Sequence, residues 1–135
     1  MSKLKRRYLK RRKNKPYGVS DSAKDRHHLL YQKRHYRGIL SELRNYEYCV
    51  VLIPKDSLHR LIHEYLGDIP APKPVNAREA LWQLKVLYRY GGIHDDDSIE
   101  ERLKVLISLF ECVEQPTADA LKKQLSIVQS YKGPH

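Results

Sequence analysis

Residues 58–63, Leu58-His59-Arg60-Leu61-Ile62-His63, set two histidines four apart in a segment with helical periodicity. Asp56 or Ser57 can cap its start, Leu58, Leu61, Ile62 and Tyr65 supply an apolar side, and Gly67 ends it. His59 and His63 then share an adjoining stripe and point the same way. Side chains one turn apart can converge on a single divalent ion, and a third ligand from elsewhere in the fold can complete the site. A candidate stands upstream, where His27 and His28 are neighbours. With seven histidines in 135 residues either pattern can arise by chance, so order and spacing carry the reading.

Between the two histidine pairs, Tyr46 to Ile53 is rich in aromatic and β-branched residues and stops at Pro54, which reads as a strand. The stretch around His27 to Tyr31 is the candidate partner strand of a hairpin. The intervening segment carries Lys33, Arg34, His35, Tyr36, Arg37 and Arg44 and reads as a long phosphate-facing loop. Tyr31 and Tyr36 among these cations could stack on unpaired bases while the charges follow a backbone. They could equally bury their rings and expose their hydroxyls.

Downstream, residues 68–74 include Ile69-Pro70-Ala71-Pro72-Lys73-Pro74, a connector that lacks several amide donors and favours an extended course. Residues 75–131 then read as three helices. The first has Asn76 as N-cap with Glu79 three residues on, carries Ala77, Leu81, Leu84, Leu87 and Tyr88 on one side, and ends at Gly91-Gly92. The second starts near Asp97 or Ser98 and uses Ile99, Leu103, Leu106, Ile107 and Phe110; the third follows Pro116 and uses Ala118, Leu121, Leu125 and Val128. His94-Asp95-Asp96-Asp97 reads as a helix start, where carboxylates favour the positive end of the dipole, rather than as a metal cluster.

The charge is unevenly spread. Residues 1–15 hold nine cations (Lys3, Lys5, Arg6, Arg7, Lys10, Arg11, Arg12, Lys13 and Lys15) and no acid, which leaves seventeen cations against sixteen acids in the rest. Residues 1–18 therefore form a basic arm with too little apolar content to bury itself, expected to be disordered or weakly helical until it meets phosphates. Neutralising six to nine phosphates would give a salt slope of about −5 to −8. A solubilising tail or a nuclear-import-like run is the plainer alternative. No apolar run reaches the roughly 20 residues of a membrane span, and no signal-peptide core follows the basic start, so a cytoplasmic, intracellular location is expected. Cys49 and Cys112 are far apart, without a C-x-x-C element, and read as buried small apolar residues. No Gly-rich phosphate loop or G-x-S-x-G turn supports an NTPase or serine hydrolase.

Taken in order, Asp25-Arg26-His27-His28-Leu29-Leu30, a strand, and Leu58 to His63 on a helix resemble the ββα-metal motif of HNH, or His-Me finger, endonucleases, particularly the colicin-type members. The resemblance runs from Asp25 to about Glu64. It implies a small ββα-metal finger over residues 19–67; with the three-helix subdomain packed on it, since neither piece is large enough for a generous core alone, the chain is expected to be α+β. It also implies His27, His59 and His63 as metal ligands, with His28 as the general base that activates water. Three imidazoles suit one zinc or nickel ion better than magnesium, which prefers oxygen ligands, with magnesium or manganese as the alternative ions. The implied partners are DNA or RNA, alone or within a nucleoprotein complex, with no membrane and no small-molecule cofactor. Lys33, Arg34, Arg37 and Arg44 would join the arm in contacting phosphates. Where the family has an asparagine nine residues before the first helix histidine, this chain has Val50, and Asn45 lies too early in the chain to replace it directly. Three functions stay open: a metal-dependent phosphodiesterase of a phage or mobile element; a catalytically silent scaffold acting as an inhibitor or accessory factor of a nucleoprotein complex, of anti-CRISPR type; or, on the basic arm alone, an RNA- or ribosome-associated protein.

Overall fold

Two short antiparallel strands bring residues distant in sequence side by side. In the computed structural model, which describes residues 24–31, 37–55, 57–67, 72–94 and 96–131, strand β1 (Lys24–His28) pairs with β2 (Val50–Pro54), with Lys24 opposite Pro54 and His28 opposite Val50. Five α-helices accompany them: α1 (Ile39–Asn45), α2 (Ser57–Gly67), α3 (Ala77–Arg89), α4 (Ile99–Val113) and α5 (Gln115–Ser130). The arrangement is α+β, a two-stranded sheet followed by helices. No helix among the described residues is long and apolar enough to cross a membrane.

The C-terminal helices follow their sequence signals closely. Ser98 accepts from the Glu101 amide at 3.2 Å while the Glu101 carboxylate accepts from Ser98, a complete capping box that starts α4. At the end of α3, Gly91 takes φ +79, its amide reaches the Tyr88 carbonyl and that of Gly92 reaches Leu87 at 2.7 Å. That paired arrangement spends carbonyls a helix end leaves free, and it needs a residue without a Cβ at Gly91. Leu103, Leu106 and Phe110 of α4 meet Ala118 and Leu121 of α5 in one apolar cluster, which Leu29, Leu43 and Cys49 also enter. The sheet end and the helices thus bury a shared core.

Several expectations need correction. The segment read as a phosphate-facing loop contains α1, which buries Leu43 and carries the partly buried Arg44, while Arg37 is exposed just before it. The turn into α1 runs through Gly38 at φ +68, and a helix of seven residues is too short to show a clear period. Strand β2 begins at Val50 rather than Tyr46, because Glu47–Cys49 coil into a 3₁₀ turn. The reason is tertiary: Arg102 of α4 donates from Nη1 to the carbonyls of Glu47, Tyr48 and Val50 at 3.0–3.3 Å, and from Nε to Asp97. Asn76 stands at the start of α3, but its side chain donates to the Val113 carbonyl instead of capping its own helix. Helix α5 includes Pro116 in its first turn rather than following it. Cys49 is buried as expected, whereas Cys112 is exposed. Tyr65 and Tyr88 are exposed as well; in α2 the buried row is Leu58, Ile62 and Leu66, rotated toward the histidines and away from Tyr65. The arm cations Lys3 to Lys15, together with Lys33, Arg34, His35, Tyr36, Asp56, Asp95 and residues 68–71, lie outside the described residues.

Candidate metal centre

The buried row of α2 is spaced four residues apart, so the row beside it, His59 and His63, lies at the edge of the packed face. That edge stands against β1, whose single fully buried residue is His27. One nitrogen from each of His27, His59 and His63 lies within 4.8 Å of the other two, with His27 buried, His59 partly buried and His63 exposed. The ring centroids of His27 stand 5.1 Å from His59 and 5.8 Å from His63. The three ligands expected from sequence therefore converge.

Hydrogen bonds to the rings decide which nitrogens are left as acceptors. His27 Nε2 lies 2.6 Å from Gln124 Oε1, and the amide nitrogen of Gln124 donates to the Leu29 carbonyl at 3.0 Å. With its nitrogen committed to Leu29, the Gln124 amide presents only an acceptor to His27, so His27 must donate from Nε2. Its lone pair is then on Nδ1, which is buried and has no hydrogen-bond partner. An orphaned buried acceptor is costly unless a cation or a hydrogen-bond donor meets it.

His59 is treated similarly. Its Nδ1 lies 3.2 Å from Asp25 Oδ2, and it donates there because a carboxylate only accepts. Nε2 of His59 is left as an acceptor, 2.9 Å from Nε2 of His63. Imidazoles held from behind by a carboxylate and an amide oxygen match the outer shell of histidine metal sites. Nitrogens on one tetrahedral ion at about 2.0–2.1 Å stand roughly 3.3–3.4 Å apart, and the observed set brackets that spacing, with its close pair at 2.9 Å and all three within 4.8 Å. The residues fit one divalent ion, with the exposed side of His63 leaving a way in for a further ligand.

The electrostatics agree. Burial pulls the His27 pKa from its ordinary value down to about 4, against the raising effect of the Gln124 bond, and neighbouring His59 and His63 lower it further. His63 is lowered also, by burial and then by His59. Neutral imidazole is the form that binds metal. Tyr31 closes one side, its ring edge-on to His63 at 5.5 Å and to His27 at 6.1 Å, and burial raises its hydroxyl pKa.

His28, the sequence candidate for the base, ends β1 and is partly buried; it is not among the three converging groups. Val50, opposite it in the ladder, is buried and offers no polar side chain. Asn45 ends α1 and is buried. Sequence reading gave no role to Asp25 or Gln124. Asp25 lies two residues before His27, the spacing that puts two side chains on one face of a strand, so its signal was available. Gln124 is one of many polar residues on α5 and had none. A partly open pocket of about 230 Å³ adjoins Tyr31 and Gln124, but none of the three histidines lines it. Comparison of the chain with protein-family models, curated proteins and solved structures finds no match.

Proposed function

We propose that this chain is a ββα-type metal finger that holds one divalent ion through His27, His59 and His63 and acts on the phosphodiester backbone of DNA or RNA. The observation that carries the metal reading is the convergence of His27, His59 and His63, with the buried Nδ1 of His27 left without a hydrogen-bond partner while Gln124 occupies the other nitrogen. The paired strands β1 and β2 leading into α2, with α1 inserted between the strands, and the His-His doublet support the phosphodiester reading through their resemblance to HNH endonucleases. A bound zinc or nickel ion supplies Lewis acidity toward a scissile phosphate. His28 takes the proton from the attacking water, a role a neutral imidazole can fill.

The protein should retain near-stoichiometric zinc or nickel on purification, and His59→Ala should lose the ion and melt at lower temperature, since metal binding adds to folding free energy. Plasmid and single-stranded nucleic acid should be cleaved in a series of magnesium, manganese, nickel and zinc, and His28→Ala should abolish cleavage while keeping the ion. A folded wild-type protein that takes up no ion would overturn the metal reading. Ion binding without cleavage would overturn only the catalytic part. It would favour the silent scaffold, an inhibitor or accessory factor of a nucleoprotein complex, which the buried Val50 at the asparagine position already supports.

A further inference from the structure

Helix α3 turns Ala77, Ala80, Leu81 and Leu84 into the core. At 100° per residue, Arg78, Trp82, Lys85 and Arg89 fall within an arc of about 60° on a different side of the same helix, and all four are exposed. Trp82, the largest side chain of the chain, is 65 % exposed. Among the described residues, none of the ion pairs involves Arg78, Lys85 or Arg89. The nearest acid on the helix, Glu79, accepts from Gln83 on the far side of Trp82. Beyond Trp82 opens a cleft of about 600 Å³ between α3 and α4, floored by Val86, Val105 and Leu109.

We infer that this face of α3 binds single-stranded nucleic acid, with Trp82 stacking on an unpaired base and Arg78, Lys85 and Arg89 following the backbone. Three cations over about 16 Å of helix, with no acid in the row, match a polyanion rather than a protein surface of mixed charge. The aromatic ring selects the single strand, because a duplex offers no free base face to an indole, whereas an unpaired base can also enter the apolar cleft at its edge. Cation and ring together form the usual elements of a sequence-tolerant platform. The surface is separate from the histidine centre and owes nothing to an ion.

Trp82 is the only tryptophan, so its fluorescence reports on this face alone. The test is a titration of the full chain, in chelator, with a short single-stranded oligonucleotide of mixed sequence and with its duplex. The single strand should quench the emission more than the duplex. Trp82→Ala, assayed by anisotropy of a labelled strand, should weaken binding about 5- to 150-fold, and Trp82→Phe should restore part of it. The triple variant R78Q/K85Q/R89Q should flatten the salt slope by about 2. Circular dichroism should show all variants folded, as expected for exposed positions. Unchanged emission on binding, with both variant sets binding like the wild type, would overturn the inference. Emission that follows protein concentration rather than added strand would overturn it too, by assigning the face to self-association.

Discussion

Burial of an imidazole with one nitrogen already committed sets how His27 responds to acid. Its folded pKa is about 4, against about 6.5 in an unfolded chain. Between those values the unfolded state binds the proton and the folded state does not. The stabilisation is therefore full above about pH 6.5 and is lost progressively as pH falls toward 4, up to about 3 kcal/mol in all. Chemical denaturation of the metal-free protein across this window should show that loss, and His27→Gln should remove most of the pH dependence. A flat stability profile would mean that His27 is hydrated in solution rather than sealed behind Gln124.

At the scale of elements, β2 can begin at Val50 only because α4 lies against it. Arg102 is buried, its guanidinium lies 5.0 Å from the centre of the Tyr48 ring, and it serves carbonyls of the 3₁₀ turn and of the first strand residue. Arg102→Met would fill much of the same space but leave those carbonyls without a donor, at a cost of about 3 kcal/mol or more. Urea denaturation measures this directly. A loss below about 1 kcal/mol, within the range of an ordinary surface change, would show that the turn holds itself. The same contact explains why residues 46–49, strand-like by composition, are not a strand. Aromatic and β-branched content expresses fit to a half-buried pleated surface, and here the carbonyls were claimed from another helix first.

Across the whole molecule, the histidine cluster is joined to the last helix. Gln124 lies 97 residues from His27 and fixes the tautomer that leaves Nδ1 as the acceptor. Replacing it with leucine keeps the bulk and removes the acceptor, so zinc affinity should fall about 10- to 100-fold, as for other partners that orient metal-binding histidines. Competition titration gives the affinity, and the nitrogen chemical shifts of His27 give the tautomer independently of any ion. Wild-type affinity in Gln124→Leu would reduce this bond to packing. Seating of α5 on β1 is, on this view, part of the binding site, and a fragment ending before α5 should bind metal more weakly than the full chain.

Periodicity and terminal residues were enough to reveal α2 through α5, because each carries its own apolar stripe and a start or stop signal within a dozen or so residues. The ligand trio was legible for a related reason: two histidines one turn apart must share a face whatever the fold, and the doublet stood where a paired strand could deliver a third. What sequence could not supply is everything fixed by contacts between distant residues. Helix α1 is too short to announce itself, the start of β2 depends on Arg102, and the exposure of Tyr65, Tyr88 and Cys112 depends on which side of each helix found a neighbour. The tautomer of His27 belongs to the same class. A local pattern records what a segment can do alone, while the direction of a lone pair is set by a hydrogen bond that exists only once α5 has packed against the strand.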